Sequence, residues 1–494
     1  MISASHPYNP PFVSMEWLDW LLHGGLFLTA TLAFSAALLC SGHAIIWKRD
    51  SRAAVLWIVV IWLVPLAGPL FYLLLGVNRS ARRATALRRE TGRAQSSLTG
   101  APEMAGPAAV PEALRPLATL VGQLVPRRLL PGNRIEPLVD GAQAYPAMLK
   151  AIEGAHESLA LATYIFDRAG IGQQFVEALG RAVTRGVEVR VLLDDTDARF
   201  SWGSAARALR RARVPVGVFN PTLVPASFRA ANLRNHSKIL VADGRIGLTG
   251  GINIATDYWR ADGCEECSRD LHFRLQGPVV AHLAEVFAAD WRFATGETLA
   301  GAKWFPALEN CGPMTARGIE SGPDETFERL RWTIHGALAV ARKSVRILTP
   351  YFLPDAALIS ALSVAAMRGV EVDILLSERN DLPHVQWAMD AQLWQVLERG
   401  CRVWLMPGPF DHSKLMLVDG VWSLFGSANW DARSLRLNFE FDVECYSAEL
   451  GQRLETLVQA KRAPARRLTL AEMDARPLPV KLRDGFARLF APYL

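Results

Sequence analysis

Cysteine is scarce in this chain, with 6 cysteines among 494 residues. So low a density excludes a small disulfide-stapled scaffold, because that class of protein depends on many cross-links. Cys264 and Cys267 form a single C-x-x-C pair, and no second pair of this spacing supplies the other ligands that a structural zinc site requires. We therefore expect these two cysteines to be ordinary thiols.

Asp, Glu, Lys and Arg are absent from two long apolar stretches, about 24–47 and 54–77. Each stretch has the length of about 20 residues that a helix needs to cross the hydrocarbon core of a bilayer. Lys and Arg are also absent from residues 1–16, so the first stretch lacks the basic region of a secretory signal. With the short loop at 48–53, these stretches predict a two-helix transmembrane hairpin over residues 1–78.

A strong charge imbalance is absent as well, because the formal net charge is only +6. A mildly basic chain suits an anionic partner, which could be nucleic acid, an anionic membrane or a phosphate substrate. Six arginines and one acid occupy 79–93, against three basic residues in the loop at 48–53. Since positive charge collects on cytoplasmic loops, we expect a multi-pass protein of the inner (plasma) membrane with a cytoplasmic catalytic part. Residues 79–134 are interpreted as this basic segment and a linker rich in Ala and Pro.

The remainder of the chain contains one pattern twice. Four matched segments occur in the same order in 135–310 and in 311–494, the last being HSKILVADGRIGLTGGINI at 236–254 and HSKLMLVDGVWSLFGSANW at 412–430. Within each copy, short runs of β-branched residues alternate with segments whose apolar period is near 3.6 residues. This alternation predicts an α/β fold, in which two duplicated sandwich halves enclose one active-site cleft.

Each copy contains an H-x-K-x-x-x-x-D motif, and we predict that all six motif residues are catalytic: His236, Lys238, Asp243, His412, Lys414 and Asp419. Residues two apart on a strand point to the same face, so each His projects beside its Lys. One imidazole can attack phosphorus while the other protonates the leaving alkoxide. The ammonium groups can bind the non-bridging oxygens. Because the lysines supply positive charge, we expect no cofactor and no metal ion.

Polar residues downstream of each motif complete the predicted site. Asn253, Ser427 and Asn429 can donate hydrogen bonds to phosphate oxygens, which makes them candidate substrate-binding residues. A carboxylate that accepts a bond from one ring nitrogen fixes the tautomer and orientation of a histidine. We expect Asp270 and Glu440 to orient the histidines in this way.

These motifs resemble those of the phospholipase D superfamily, in which each H-x-K-x-x-x-x-D is followed by G-[GS]-x-N. The second apolar stretch, YIFD near 164, TPYFLP near 349 and RSLRLNFE near 433 make the chain similar to the bacterial cardiolipin synthases in particular. Gly251 departs from that pattern, because these enzymes often have Ser there. One hydrogen bond to phosphate would then be lost in the first half.

The resemblance implies a ping-pong reaction that transfers a phosphatidyl group from one phosphatidylglycerol to another through a phosphohistidine and releases glycerol. It implies that His236 is the nucleophile and that His412 is the general acid and then the base, roles that the near-symmetric motifs leave open. Hydrolysis to phosphatidic acid and a phosphodiesterase or nuclease activity on the same fold stay as alternatives. The expected partners are phosphatidylglycerol, other phospholipids and the bilayer, and not nucleic acid. The oligomeric state stays open.

Two further segments combine apolar and basic residues, at 224–234 and at 480–494. Each could lie at a membrane interface or form an amphipathic helix packed on the core. The pattern favours the interface for the first segment and leaves both possibilities open for the second, the C-terminal amphipathic segment.

Overall fold

The computed structural model describes residues 15–48, 51–76, 110–195, 205–220, 234–259, 264, 266–323 and 326–491, with side chains from 25 onwards except at 75. The contacts divide the chain into two units, Met1–Arg79 and Ser80–Leu494. The basic run at 79–93, most of the linker and nearly all of the segment 224–234 lie outside the described residues.

The first unit consists of apolar helices. Its elements are α1 (Met15–Trp47), α2 (Ser51–Leu63), α3 (Ala67–Phe71) and a π-helical turn (Tyr72–Gly76). Within the described residues, 25–47 is the one helical segment with the length and composition of a membrane span. The expected second span is divided into shorter helices, because Pro65, which lacks a backbone N–H, falls in the break between α2 and α3. Inside this unit Trp62 donates a hydrogen bond to Ser41 at 3.0 Å.

The second unit is built on one mixed sheet. The strands of its first half are β1 (Leu130–Val139), β2 (Ser158–Thr163), β3 (Glu188–Asp194), β4 (Val216–Phe219), β5 (Ile239–Ala242), β6 (Ile246–Gly250) and β7 (Leu271–Gln276). Those of its second half are β8 (Met314–Ser321), β9 (Ser344–Leu348), β10 (Glu371–Ser377), β11 (Arg402–Met406), β12 (Leu415–Val418), β13 (Trp422–Gly426), β14 (Glu440–Tyr446) and β15 (Arg466–Leu468).

The strand order shows the duplication directly. Across the described residues it is β15-β11-β10-β9-β12-β13-β14-β8-β1-β7-β6-β5-β2-β3-β4. The order on one side of the β1–β8 pair therefore repeats the order on the other. In each half three strands run parallel, β2-β3-β4 and β9-β10-β11, and the strand within the motif, β5 or β12, joins them antiparallel. The predicted α/β fold with duplicated domains is confirmed, with both halves in one continuous sheet.

Helices cover the sheet. They are α4 (Arg115–Leu124), α5 (Asp140–Glu153), α6 (Ile171–Thr184), α7 (Ala205–Arg211), α8 (Val280–Thr295), α9 (Arg329–Val340), α10 (Ala356–Met367), α11 (Pro383–Asp390), α12 (Trp394–Leu397), α13 (Ala432–Arg436), α14 (Ala448–Arg462), α15 (Leu470–Asp474) and α16 (Leu478–Arg488), with short 3₁₀ turns at Glu112–Leu114 and Thr256–Tyr258. In α6 the buried residues include Ile171, Phe175, Ala178, Leu179 and Ala182. This is the spacing of one helix face, as the sequence predicts.

One apolar layer contains residues of both halves. Phe273 on β7 and Phe425 on β13 stack with ring centroids 3.8 Å apart, and both are fully buried. The same cluster includes Leu283 of α8 and Leu454 of α14. A second cluster lies within the first half, and a third joins α4 and its flanking residues to the second half. Burial of apolar side chains from both copies in one layer holds the halves together.

The expectation for the C-x-x-C pair was wrong, because Cys264 and Cys267 form a disulfide. Their Cα atoms lie 5.5 Å apart, a separation that a disulfide can span. Sequence spacing alone does not give this local turn of the backbone.

Candidate active site

Both motifs begin just before a short strand, β5 in the first half and β12 in the second, and each contacts the opposite half through its backbone. The His236 N–H donates to the Phe439 carbonyl at 2.9 Å, and the His412 N–H donates to the Arg269 carbonyl at 2.7 Å. Each of these bonds joins one repeat to the other. The two motifs are therefore held at one place, at the junction of the halves.

A carboxylate from the opposite half faces each histidine. The Nδ1 atom of His236 lies 3.0 Å from Oε2 of Glu440, and Nδ1 of His412 lies 2.9 Å from Oδ2 of Asp270. All four residues are buried. A carboxylate that accepts from Nδ1–H leaves the Nε2 lone pair available. The geometry thus brings the two expected carboxylates to the rings, but each one crosses to the motif of the other repeat.

The two motif lysines lie inside the protein, with Lys238 only 2% exposed and Lys414 only 3%. Each Nζ donates to the carbonyl of its own motif histidine, at 2.7 Å to His236 and at 2.6 Å to His412. Burial lowers the pKa of Lys238 to about 7 and that of Lys414 to about 8. Two poorly solvated ammonium groups in one cluster favour binding of an anion, because an anion restores the lost stabilisation of their charge.

The histidines are neutral at physiological pH. Burial lowers the pKa of His236 to about 4, against the opposing effect of Glu440. Burial, followed by the charges of Lys414, Lys238 and His236, lowers the pKa of His412 well below its usual value. The mutual influence of these four groups means that they form a single electrostatic cluster.

Glu440 is held as an anion by hydrogen bonds. The Ser427 hydroxyl donates to Oε2 at 2.5 Å, and the Asn438 amide donates to Oε1 at 3.3 Å. Burial alone would raise the pKa of Glu440, but His236, Lys238 and Ser427 outweigh burial and keep it below its ordinary value. Ser427, expected to bind phosphate, therefore contacts the carboxylate instead.

Asp270 lacks the matching hydroxyl support. Gly251 stands at the position of Ser427, and a Cβ added there would come within 2.3 Å of Oδ1 of Asp270. That oxygen accepts from the Leu271 N–H at 2.7 Å. Burial raises the pKa of Asp270 to about 8. The two carboxylates thus differ in protonation although they occupy matched positions.

The asparagines of the two copies differ in their contacts. Asn253 is buried, and its Oδ1 accepts from the Ile165 N–H at 3.3 Å. Asn429 is buried too, but among the described residues its Oδ1 has no hydrogen-bond partner. An amide oxygen without a partner can accept a hydrogen bond from a hydroxyl of an incoming ligand.

The motif aspartates lie away from this cluster. Asp243 and Asp419 stand five residues after the lysines, about 16 Å along an extended chain, in turns with φ of 51° and 53°. The Asp243 carboxylate accepts the backbone N–H groups of residues 156–158, and Asp419 accepts those of 342–344. The structure does not bring either residue to the histidines, and a catalytic role for the two aspartates stays a prediction. Their contacts fix the loop that precedes β2 or β9.

Aromatic side chains line the cluster, and the sequence reasoning did not single them out. The ring of Tyr164 lies 5.0 Å from that of His236, and Lys238 Nζ lies 5.5 Å from the Tyr164 centroid. Tyr258 and Tyr351 lie 5.7 and 6.3 Å from His412. Tyr164 and Tyr351 stand in the YIFD and TPYFLP segments, which the sequence analysis used only as evidence of the family resemblance.

A buried titratable group lies beside each lysine. His272 pairs in register with Gly250, and Asp442 with Gly426. Among the described residues, both ring nitrogens of His272 and one oxygen of Asp442 lack hydrogen-bond partners. Burial, then Lys238, lowers the pKa of His272 to about 3, while burial raises the pKa of Asp442 well above its usual value. Burial therefore favours the uncharged form of both groups.

The chain matches the family described as cardiolipin synthase, PLD-like domain, at residues 148–291 and 334–461. A second family, phospholipase D-nuclease N-terminal, matches residues 35–76. Cardiolipin synthase 1 of Staphylococcus epidermidis is 32% identical over 74% of this chain and 75% of its own length. Cardiolipin synthase of Oceanobacillus iheyensis is 29% identical over 90% of this chain and 95% of its own.

Among solved structures, phosphatidylserine synthase of Haemophilus influenzae has the same fold. The TM-score is 0.61 at 17% identity, covering 78% of this chain and 100% of that one. The duplicated sheet and paired His-x-Lys motifs are those of a phospholipase D-like protein. The chain belongs to the cardiolipin synthase family of that superfamily, and the resemblance found in the motifs is confirmed.

Proposed function

We propose that this chain acts as a cardiolipin synthase, a phosphatidyl transferase that joins two phosphatidylglycerol molecules and releases glycerol. Relatives named cardiolipin synthase, similar over most of the chain, support this function. The observation that carries the chemistry is the buried cluster of two neutral imidazoles, two lysines and two carboxylates exchanged between the halves. Such a cluster offers a nucleophile, a proton donor and anion-binding groups within one site.

In the first half-reaction, Nε2 of His236 attacks the phosphorus of one phosphatidylglycerol. A P–N bond forms, the bond from phosphorus to the glycerol oxygen breaks, and His412 gives its proton to that oxygen. The Nδ1–H of His236 donates to Glu440, which stabilises the positive charge that develops on the ring. The products are phosphatidyl-His236 and free glycerol.

In the second half-reaction, His412 takes a proton from the headgroup hydroxyl of another phosphatidylglycerol. The resulting oxygen attacks phosphorus, the P–N bond breaks, and cardiolipin leaves while His236 is restored. Lys238 and Lys414 bind the non-bridging oxygens during both steps. Asn253 and Asn429 donate further hydrogen bonds to phosphate.

The carboxylates support this division of roles between the histidines. Glu440 is ionised, so the His236–Glu440 pair carries only the Nδ1 proton and keeps the Nε2 lone pair of a nucleophile. Asp270 has a pKa near 8, so the His412–Asp270 pair can carry a second proton at neutral pH. A bound phosphodiester anion raises the lowered pKa of His412, because it adds negative charge. The second pair thereby suits a general acid.

The first unit indicates where the enzyme meets its lipid substrate. We propose that its apolar helices form a two-helix transmembrane hairpin over 1–78, followed by halves at 135–310 and 311–494. The intervening 79–134, proposed as a basic segment and linker, ends in α4 and the start of β1, which pack in the second unit. The apolar segment 25–47 supports membrane association. The arginine run of the sequence favours an inner-membrane protein with its catalytic part in the cytoplasm. Phospholipid substrates then lie beside the enzyme in the bilayer.

The function is tested by incubating the purified chain in vesicles with headgroup-labelled phosphatidylglycerol and a metal chelator. We expect cardiolipin and free glycerol in equal amounts. Phosphatidic acid with glycerol would show that water accepts the phosphatidyl group and would replace transfer by hydrolysis. Absence of both products would contradict a lipid phosphodiester as substrate.

A further inference from the structure

The C-terminal helix α16 is amphipathic, but its apolar side faces solvent. Its large apolar residues repeat on one stripe and are all exposed: Leu478, Leu482, Phe486, Leu489 and Phe490, the last two just after the helix ends. The buried residues of α16 are Asp484 and Ala487. A helix that serves only to cover a core has the opposite arrangement.

Polar contacts hold α16 in this orientation. Asp484 pairs with Arg476 and, at 2.8 Å, with Arg483. The Arg483 guanidinium also lies 4.6 Å from the ring centroid of Trp387 on α11. The buried carboxylate and its two arginines therefore fix the helix against α11. Because this face is occupied, the apolar stripe stays turned outward.

A series of contacts links α16 to the catalytic cluster. Tyr351, whose ring faces His412, donates its hydroxyl to Asp381 at 2.9 Å. The next residue, Leu382, is exposed and leads directly into α11, on which α16 packs. The helix that carries the stripe therefore packs on the element that follows the Tyr351–Asp381 contact on the His412 side of the site.

We propose that the outward stripe of α16 is a docking surface for the lipid bilayer, which sets the entrance of the site against the membrane. The exposed side chains alternate with Lys481, Arg483 and Arg488, and this combination of Leu, Phe and basic residues suits an interface with anionic headgroups. The choice of lipid as occupant rests on the proposed function, because a phospholipid substrate is available only at the bilayer. The sequence pattern left open whether this segment packs on the core, and the exposure of the stripe favours the interface.

A local probe tests the contact in the full chain. A Cys311→Ser background removes the exposed thiol, and an environment-sensitive fluorophore is then attached to Phe486→Cys. The chain is placed in phosphatidylglycerol vesicles with brominated acyl chains. We expect a blue shift and quenching at 486, and neither at the control Gln452→Cys on α14. Equal spectra at 486 and 452 would overturn the proposal, whatever the outcome of the activity assay.

An activity comparison adds a second readout. The double variant Leu482→Gln/Phe486→Gln should raise the apparent KM for phosphatidylglycerol in vesicles about tenfold or more, since each apolar side chain withdrawn from the interface weakens docking. Turnover of a short-chain, monomeric phosphatidylglycerol should stay unchanged. Met367→Gln removes a similarly exposed residue, 62% against 65% for Phe486, outside the stripe and should leave both values unchanged.

Two outcomes would contradict lipid docking. An equal loss of activity on monomeric and vesicle substrate would indicate a defect in the site rather than at the membrane. Concentration-dependent cross-linking of the unlabelled Phe486→Cys variant, without quenching of the labelled variant by brominated lipid, would assign the surface to a second copy of the chain.

Discussion

The two halves of the second unit have the same strand order and the same motif, yet they differ at three matched positions around their carboxylates. Gly251, Asp270 and His272 in the first half correspond to Ser427, Glu440 and Asp442 in the second. The strand registers around Gly250 and Gly426 establish this match. Each carboxylate serves the histidine of the other half. The residues around Glu440 in the second half therefore affect His236, and those around Asp270 in the first half affect His412.

This comparison teaches how a duplicated site can acquire two distinct roles. The hydroxyl of Ser427 stabilises the anionic form of Glu440, whereas Asp270 meets a glycine and keeps a pKa of about 8. The motifs themselves stay alike. The residues that surround the carboxylates separate a nucleophilic histidine from a proton-donating one.

The largest expected effect comes from exchanging either histidine for alanine. His236→Ala should abolish turnover and leave no covalent phosphatidyl-enzyme, because no other group attacks phosphorus. His412→Ala should slow both half-reactions by about 10²–10⁴-fold, the usual contribution of a general acid or base. Alkali-quenched samples with phosphorus-labelled substrate separate the two outcomes, because the P–N bond persists in alkali. Full activity of His236→Ala would contradict the mechanism.

Exchange of the carboxylates should have the next largest effect. Glu440→Gln should lower kcat by about 10²–10³-fold, because it removes the charge that stabilises the imidazolium of His236. Asp270→Asn should cost less at neutral pH, since Asp270 already holds a proton for part of the time. Single-turnover rates of glycerol release measure both variants. Equal losses of rate in the two variants would contradict the proposed difference between Glu440 and Asp270.

The pH dependence of kcat/KM should follow the ionisation of Lys238 and Lys414. The pKa of Lys238 is lowered to about 7 and that of Lys414 to about 8 by burial, so each loses its ammonium charge as pH rises through these values. We expect kcat/KM to fall above pH 7–8, because it reports the free enzyme. The corresponding fall in kcat should occur at higher pH, since the bound phosphodiester raises the pKa of both lysines. A kcat/KM that stays constant up to the ordinary pKa of lysine would oppose this view.

A smaller change should make the second half resemble the first. Ser427→Gly removes the 2.5 Å bond to Glu440, and loss of a hydrogen bond to a charged group should lower kcat about tenfold. The pKa of Glu440 should rise, and the acid limb of kcat should move to higher pH. Ser427→Thr keeps the hydroxyl and serves as the control. Unchanged pH profiles in both variants would show that Ser427 does not set the state of Glu440.

The smallest effect on catalysis is expected from the motif aspartates. Asp243→Asn and Asp419→Asn weaken bonds to backbone N–H groups at 2.7–3.1 Å, and Asn tolerates the positive φ at both sites. Each variant should lose about 1 kcal/mol of unfolding free energy. The kcat of folded protein should stay close to that of the parent. A large drop in kcat without a change in thermal stability would indicate that Asp243 or Asp419 takes part in catalysis.

The motifs and the repeat are visible in the sequence itself, and the alternation of strands and helices could be predicted from it because it depends on local pattern. It assigned Asp270 and Glu440 to histidines but could not pair them, since a carboxylate of one repeat meets the other repeat only in the folded sheet. The spacing of Asp243 and Asp419 suggested catalysis, but their turns carry them away from the site. Periodicity likewise predicted an amphipathic α16 without indicating which way its apolar side would face.

The central claim is that His236, braced by Glu440 of the opposite half, is the nucleophile of a single shared site. Its most direct test is to mix the enzyme with phosphatidylglycerol that is labelled at phosphorus and to quench the reaction within one turnover. The quench uses alkali, where phosphohistidine persists, and peptide mass spectrometry then locates the label. The account predicts a phosphatidyl group on His236 that accumulates further in His412→Ala. A label on His412, or active turnover without any adduct, would contradict it.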